Sequence, residues 1–309
     1  MHHFLDRSKA VYQMSRTNAA VLTIAPGDCV TVQTEDCFGH RIISESQCVD
    51  EHFDFSRINP ATGPIAVQNA LPGDSLAITV TAIHLDSQGV VENAPGWGLL
   101  GKKATRCKTV IAEIRDNTVH FNGLSLPARP MIGVMGNAPE HDAVGCGTPG
   151  QHGGNLDTKE ISEGAVVHLP VFVPGGLLAL GDVHALMGDG ESCGTGVECR
   201  ATVELSIELA KSTRLSAPVV ETDNEIIVIS SHKELDQAIR ESMDRAVRIL
   251  IKLTGFPWQE AYMLASISCD VRISQLVNPL FTAKTIIPKH LNTNKLKLSQ
   301  MNFEESGNE

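Results

Sequence analysis

The alternation of apolar and polar residues predicts β-strands through the first two thirds of the chain. Residues 76–80 alternate in this way directly after the turn signal Pro72-Gly73-Asp74, and residues 201–209 carry the clearest alternation. A period of two is the signature of a strand with one buried face. Residues 110–114 and 119–121 flank a pair of turn-forming residues, which predicts a hairpin.

The periodicity becomes helical near Ser231. Ser231 and Glu234 have the spacing of a capping box, in which each side chain bonds to the backbone N–H of the other residue. Apolar residues then recur at helical spacing over residues 235–251. Gly255 predicts the end of that helix. Pro257 predicts the start of a second one, because the first turn of a helix does not need its missing N–H.

Strand alternation returns at residues 267–273, and the polar tail after Leu296 is expected to fray. Many strands followed by a helix pair and a further strand predict a mainly β fold with a C-terminal α+β portion. We place a β-rich body, which carries the active-site loops, at residues 1–215. The α+β portion with the helix pair then occupies residues 216–309.

Composition and charge narrow the range of partners. The chain has 309 residues, of which 42% are hydrophobic, and its formal net charge is −11. An acidic surface repels phosphate backbones, so we expect no nucleic-acid partner. The most apolar stretch, residues 169–180, is too short to span a bilayer, and residues 1–10 lack the apolar core of a secretory signal. We therefore expect a cytoplasmic protein with no membrane partner.

Cysteine usage is consistent with that compartment. The 8 cysteines include no Cys-x-x-Cys pair, so a thiolate zinc site is not indicated. In a reducing cytoplasm we expect free thiols, most of them buried as small apolar residues.

Residues 147–198 hold most of the candidate chemistry, because polar side chains of the kinds that bind metals are set there among glycines. Glycine allows positive φ and close backbone approach, so such loops can aim side chains at a common point. His152, Asp157 and His184 are candidate ligands of a divalent metal, and their imidazole and carboxylate groups suit zinc. Asp36, which follows a strand, is a further candidate ligand.

Each of these residues also has an ordinary structural interpretation, in which it caps a turn or braces a loop. Asp36 can equally be a turn residue beside Gly39. Asp189 and Glu191 are candidates for a general base and acid, although aspartate next to glycine is also a common turn former. Glu198 either faces the same cavity or lies at the surface.

Several long motifs occur in order along almost the whole chain. They are Asn59-Pro60-Ala61-Thr62-Gly63-Pro64, Pro72-Gly73-Asp74, Ala94-Pro95-Gly96-Trp97-Gly98, Pro130-Met131-Ile132-Gly133, His152-Gly153-Gly154-Asn155 with Asp157, Gly181-Asp182-Val183-His184-Ala185, Gly188-Asp189-Gly190-Glu191 and Ile287-Pro288-Lys289. In these motifs the sequence resembles the acetamidase/formamidase family.

The resemblance implies a β-rich fold with a small α/β portion, which we expect to have a β-sandwich or barrel body. It implies a hydrolase that cleaves the C–N bond of small linear carboxamides, such as formamide and acetamide, to ammonia and a carboxylate. It further implies a homo-oligomer. The expected binding partner is the substrate, a small-molecule amide. By position, the loops at residues 152–157 and 181–185 would frame the active site.

We expect the reaction to be assisted by the metal, with Glu191 carrying a proton from water to nitrogen and Asn155 donating to the developing oxyanion. Two alternatives remain open. One is a metal-free amidase in which Cys146 or Cys193 is the nucleophile. The other is a non-catalytic β-rich protein that holds a small polar ligand.

Overall fold

Strands dominate the regular structure of the computed structural model, which describes residues 1–50 and 52–303. The mainly β fold with two C-terminal helices, predicted from the sequence, is confirmed. The described strands are β1 (His2–Leu5), β2 (Ala10–Val11), β3 (Gln13–Met14), β4 (Leu22–Ile24), β5 (Asp28–Thr34), β6 (Ala61–Val67), β7 (Ser75–Asn93), β8 (Lys108–Arg115), β9 (Thr118–Phe121), β10 (Leu124–Pro127), β11 (Met131–Gly136), β12 (Val144–Gly145), β13 (Gly153–Asn155), β14 (Val166–Pro170), β15 (Leu178–His184), β16 (Glu198–Ala210), β17 (Val219–Glu221), β18 (Glu225–His232), β19 (Asp270–Gln275) and β20 (Phe281–Pro288). The helices are α1 (Leu235–Thr254) and α2 (Trp258–Ser268).

Two long antiparallel strands, β7 and β16, form the centre of the body. In β16, Ala201, Val203, Leu205 and Ile207 are buried and alternate with less buried residues, as the sequence predicts. β16 pairs with β7 along one edge and with β5 along the other. The predicted hairpin is also present, as β8 and β9. Aliphatic residues from β5, β7 and β16 contribute much of the main apolar core, which supports the site described below.

The C-terminal portion is an antiparallel sheet covered by the two helices. β18 pairs with β17 and β20, and β19 pairs with β20. Leu250 and Leu253 of α1 pack with residues of α2, β18 and β20 in a second apolar cluster. β17 also pairs with β14 of the body, so strand pairing crosses the predicted boundary after residue 215. The division into 1–215 and 216–309 stays a prediction.

The helix boundaries follow the sequence signals only in part. Gly255 ends α1 in the left-handed region at φ 77°, and Pro257 directly precedes α2, as predicted. The predicted capping box is wrong, because Ser231 belongs to β18 and its Oγ lies 2.9 Å from Oγ1 of Thr282 on β20. Glu234 occupies the N-cap position of α1 without a side-chain cap bond. The sheet therefore uses the hydroxyl that the helix was expected to use.

Two further expectations for this portion are corrected. Ile267 lies in α2, so the following strand begins at Asp270 and not at residue 267. Leu298 and Met301 are buried in the second apolar cluster, so the expected fraying is wrong as far as residue 303. Residues 304–309 lie outside the described part of the chain. Within the described part, no helix has the length and apolar character needed to cross a membrane.

A disulfide joins Cys48 and Cys107, so the expectation of free thiols is wrong for this pair. The two residues are 59 positions apart, a spacing that carries no recognisable signal. The bond ties the long loop after β5 to the start of β8. The other six cysteines are free thiols, as expected.

This pairing predicts the number of alkylated thiols. Under denaturing, non-reducing conditions, an alkylating reagent should modify six of the eight cysteines, and mass spectrometry will count them. The double change Cys48→Ser with Cys107→Ser should lower the free energy of unfolding by about 2–4 kcal/mol, because a long loop is no longer closed in the unfolded chain. Modification of all eight thiols without reductant would contradict the disulfide.

Candidate active site

The register of the body strands brings three distant segments together. Val134 of β11 faces both Asn155 of β13 and Gly181 of β15, because β11 pairs with each of those strands. On the other edge of β15, His184 faces Glu198 of β16 directly. The chain segments around residues 155, 182 and 198 therefore meet at one place, where a cavity of about 550 Å³ opens.

The side chain of His184 lies at the centre of a buried group of carboxylates. Its Nε2 is 3.1 Å from Oε2 of Glu198, 3.4 Å from Oδ1 of Asp182 and 4.0 Å from Oδ1 of Asp157. Glu191 completes the group, since one atom each of Asp157, His184 and Glu191 lies within 4.8 Å of the others. All five side chains are buried. We call these five residues the acidic cluster.

Three of the carboxylates share one pattern of hydrogen bonding. Nδ2 of Asn59 donates to Oδ2 of Asp182 (2.8 Å), and Nδ2 of Asn278 donates to Oδ2 of Asp157 (2.6 Å). The backbone N–H of Gly196 donates to Oε1 of Glu198 (2.7 Å). In each case the second oxygen is the one near Nε2 of His184. Neutral donors thus fix each carboxylate from behind while one oxygen faces the centre.

The central atoms lack good hydrogen bonds. Oδ1 of Asp182, Oε2 of Glu198 and both ring nitrogens of His184 have no hydrogen-bond partner among the described residues. The short distances around Nε2 are therefore contacts without hydrogen-bond alignment. Buried polar atoms are rarely left unpaired. A cluster that aims such atoms at one point is typical of a site that holds a cation.

Burial and mutual repulsion shift the acidity of the cluster. Burial, followed by the Asp182 charge, raises the pKa of Asp157 to about 6. Burial raises the pKa of Glu198 to about 8, against the opposing effect of His184. Burial and the Asp157 charge hold the pKa of Glu191 well above its usual range. Although burial opposes it, the charges of Glu198 and Asp182 raise the pKa of His184 well above its usual range. One imidazole ring therefore faces a larger number of acidic groups.

Two glycines leave room for this crowding. A Cβ at Gly133 on β11 would lie 2.6 Å from Oδ1 of Asp157 and 2.9 Å from Oδ2 of Asp182. A Cβ at Gly196 would lie 2.6 Å from Nδ1 of His184. Neither distance is possible without displacement of the side chains. The glycines flanking the cluster are therefore part of its construction.

Asn155 lines the same cavity. In the orientation that satisfies its side-chain amide, the NH2 group donates to Oδ2 of Asp182 (3.0 Å) and the oxygen accepts from Nδ2 of Asn278 (3.0 Å). This arrangement orients the carboxylates. The oxyanion donation expected from the sequence would require the NH2 group to turn away from Asp182.

The remaining candidates from the sequence lie outside the acidic cluster. Oδ1 of Asp36 accepts from the backbone N–H groups of Phe38 and His40, both at 2.9 Å, which is the turn geometry that was the alternative interpretation. Asp189 forms ion pairs with Lys284 (2.7 Å) and Lys159 (2.9 Å). Asp189 therefore anchors the loop that carries Glu191, and its carboxylate is already neutralised by cations.

His152 is buried but does not join the cluster. Its Nε2 has no hydrogen-bond partner among the described residues, and burial lowers its pKa to about 4. Its backbone oxygen accepts from the N–H of Asn137 (2.9 Å), which holds the loop against the end of β11. The ring packs against Gly150 and Gly154. In this position His152 shapes the glycine loop.

Sequence reasoning missed several members of the site. Asp182 lies two residues before His184 on β15, so the period of a strand would have placed both on one face. Glu198 was left between a cavity and a surface role, and it faces the cavity. Asn59 has a positive φ of 51°, which no sequence pattern revealed. Asn278 comes from the loop before β20, with no local signal.

The thiol alternative receives little support from the geometry. Cys146 lines the cavity, but burial raises the pKa of its thiol to about 12, and Sγ donates to the backbone oxygen of Val11 (3.5 Å). Sγ of Cys193 contacts backbone oxygens of Glu92 and Thr195. A thiol needs a neighbouring base to become a nucleophile at neutral pH, and neither residue has a described imidazole beside it.

The fold is mainly β, and it encloses a buried imidazole among four carboxylates beside an open cavity. The chain belongs to the acetamidase/formamidase family, whose sequence profile matches residues 16–146 and 143–293.

Solved structures and curated relatives agree with this assignment. An acetamidase of Bacillus halodurans is 41% identical, with a TM-score of 0.90 over 93% of this chain and 97% of that one. An acetamidase of Yersinia enterocolitica is 31% identical, with a TM-score of 0.90 over 95% of this chain and 93% of that one. A formamidase of Methylophilus methylotrophus is 26% identical over 62% of this chain and 61% of its own length. The chain thus spans about 61% of the length of that curated relative.

The tight contact at Gly196 predicts a sensitive position. Gly196→Ala should push the ring of His184 out of place. Turnover should then fall by about 100-fold, measured with acetamide and formamide because the relatives are named for these amides. Gly188→Ala is the matched control, because a Cβ at Gly188 meets no atom within 4 Å. Steady-state ammonia release will measure the turnover of both variants, and thermal unfolding will show that both are folded. Equal activity of the two folded variants would contradict the crowding.

The buried neutral ring of His152 predicts a pH dependence of stability. In the unfolded chain the ring takes up a proton near pH 6.5, whereas in the folded protein its pKa is about 4. The folded state is therefore favoured above pH 6.5 and loses about 3 kcal/mol as the pH falls from 6.5 to 4. Urea unfolding of the protein and of His152→Gln across this range should show a shallower decline in the variant. Parallel curves would refute the neutral buried state.

Proposed function

We propose that the chain is an amidase that hydrolyses primary linear carboxamides to ammonia and a carboxylate. The observation that carries this proposal is the acidic cluster, in which carboxylate oxygens and an imidazole nitrogen converge at the floor of an open cavity. Family membership supports the reaction class, since the relatives are named acetamidase and formamidase.

We further propose that the cluster holds a divalent cation, with His184 and the inner oxygens of Asp157, Asp182 and Glu198 as the protein ligands. The orphaned Nε2 of His184 and the surplus of buried carboxylates support this fit, because a cation would satisfy both. Mixed imidazole and carboxylate ligands suit zinc. When bound, such an ion supplies Lewis acidity that polarises a carbonyl and makes water more acidic.

The side chains of the cluster have distinct tasks in this proposal. Glu191 lines the cavity, and its raised pKa suits a group that takes a proton from water and passes it to the departing nitrogen. Asn59 and Asn278 hold Asp182 and Asp157 in fixed rotamers. Fixed partners keep the reacting groups aligned, which is where much of the catalytic advantage of an enclosed site arises.

Partner and compartment are also proposals. A homo-oligomer is supported by apolar side chains along α2 that are exposed in the single chain, among them Met263 and Ile267. A cytoplasmic location remains the expectation from the sequence. The Cys48–Cys107 disulfide weighs against it, because such bonds are uncommon in reducing compartments.

Metal content and turnover should be lost together. His184→Ala removes the single imidazole of the cluster, so elemental analysis of the purified variant should find little divalent metal, and ammonia release from acetamide should fall at least about 1000-fold. Glu191→Gln keeps the size of the side chain but cannot carry a proton, so its turnover should fall further than its metal content.

The control is His168→Ala, which removes a buried histidine paired with Glu221 (2.7 Å) outside the cavity. This variant should retain both metal and turnover if it folds. A His184→Ala protein that is folded, metal-replete and active would overturn the ligand assignment. Chelator-insensitive activity that is abolished by alkylation would favour the thiol mechanism instead.

A further inference from the structure

We propose that the cavity is built for primary amides whose acyl group carries a bulky, uncharged, apolar substituent, such as an arylmethyl group. This inference rests on the proposed amidase function and specifies its substrate class. It is carried by the size of the cavity, by the aromatic side chains that line it and by the charge of its floor.

The cavity is larger than a small aliphatic amide requires. Its volume of about 550 Å³ lies within the range of pockets that enclose drug-sized ligands. The acidic cluster occupies only the floor. Acetamide, with a single methyl beside its amide, would fill the space next to Glu191 and Asn155 and leave the rest of the cavity to water. The remaining volume leaves room for a larger group.

Aromatic side chains form part of the lining of the cavity. Phe38, Phe55 and Trp97 are among the lining residues, and we call these three residues the aromatic wall. The rings of Phe55 and Trp97 meet edge to face with centroids 5.9 Å apart. Phe53 connects Phe55 to the fully buried Phe38, with centroid distances of 5.3 and 6.0 Å. The chain contains few aromatic residues, so their concentration beside the cavity is informative.

The loop that carries Trp97 lies directly against the loop that carries Glu191. The backbone N–H of Leu99 donates to the oxygen of Ser192 (2.9 Å), and a Cβ at Gly98 would lie 2.4 Å from that same oxygen. Residues 97 and 191 therefore belong to two loops in direct contact. On the other side, the guanidinium of Arg41 lies 4.0 Å above the ring of Phe53. A preorganised apolar surface binds an apolar group without the cost of ordering itself first.

The floor of the cavity determines which substituents are accepted. Asp182, Glu191 and Glu198 line the cavity and no Lys or Arg is among its described lining residues, so an anionic acyl group would meet repulsion and find no cationic side chain there. An uncharged group avoids that repulsion and can cover the half-exposed ring of Phe55. Aromatic rings favour edge-to-face contacts with each other, which an aryl substituent can make with Phe55 and Trp97.

The reaction itself is unchanged by the substituent. An amide R–CO–NH2 and water give R–COO⁻ and NH4⁺: the C–N bond breaks, a C–O bond forms, and protons from water end on the departing nitrogen. No oxidant or reductant is needed. The apolar group R only contributes binding, which raises the specificity constant when it is realised in the transition state.

The test compares kcat/KM for acetamide, isobutyramide and phenylacetamide with the holoenzyme. Phenylacetamide is chosen because its ring is not conjugated with the carbonyl, so the intrinsic reactivity of its amide is similar to that of acetamide. The specificity constant should rise from acetamide to phenylacetamide by at least about 10-fold, since each added methylene in a matching pocket contributes about 10-fold or more.

Variants localise the effect on the aromatic wall. Trp97→Ala and Phe55→Ala should reduce the phenylacetamide-to-acetamide ratio of kcat/KM toward one, and Trp97→Phe should keep most of it. Leu100→Ala is the matched control, because Leu100 lies on the same loop, is 67% exposed and does not line the cavity. Its ratio should equal that of the unmodified protein.

The outcomes separate this inference from the proposed function. The inference would be overturned, while the amidase function stands, if kcat/KM for acetamide equals that for phenylacetamide. It would also be overturned if the phenylacetamide-to-acetamide ratio of kcat/KM is unchanged in Trp97→Ala. If no amide releases ammonia, the proposed function fails. The inference about the cavity is then tested by the binding of phenylacetamide and acetamide. Quenching of tryptophan fluorescence by phenylacetamide but not by acetamide, lost in Phe55→Ala, would support it. Absence of such quenching would overturn it.

Discussion

The concentration of negative charge around one imidazole is the constraint on which the site depends. Asp157, Asp182, Glu191 and Glu198 surround His184 with little exposure to solvent. Burial of ionised carboxylates is costly unless hydrogen bonds and opposite charge compensate it. The amides of the site satisfy the outer oxygens, and the inner oxygens remain for a positive centre. Sheet register, flanking glycines and polar neighbours can all be understood as ways of bringing these groups together.

The sheet supplies the positional precision that loops alone would lack. β11 serves as a common neighbour for β13 and β15, and β16 places Glu198 opposite His184. Each of these strands also contributes apolar residues to the main core or packs beside it. Stability and site geometry therefore share the same pairings. Displacing one strand by one residue would turn its polar side chains away from the cavity.

The sequence revealed the fold class, because strand periodicity is a local signal. It predicted that His152, Asp157 and His184 converge on one cation; Asp157 and His184 lie in the acidic cluster, whereas His152 lies outside it. It overestimated Asp36, since an aspartate in a turn and an aspartate at a metal site look identical without coordinates. It could not reveal Asn278, which reaches Asp157 from 121 positions away through strand pairing. The Cys48–Cys107 bond was missed for the same reason. Contacts set by tertiary register leave no trace in a short window of sequence.

The acidic cluster depends on residues from the C-terminal part of the described chain. Asn278 supports Asp157, and Lys284 of β20, wholly buried between Glu160 and Asp189, anchors the loop that presents Glu191. A nascent polypeptide on the ribosome therefore carries the carboxylates long before their last supports have been synthesised. Until β20 joins the sheet, the catalytic groups should remain hydrated and mobile. Completion of the active site therefore waits for β20.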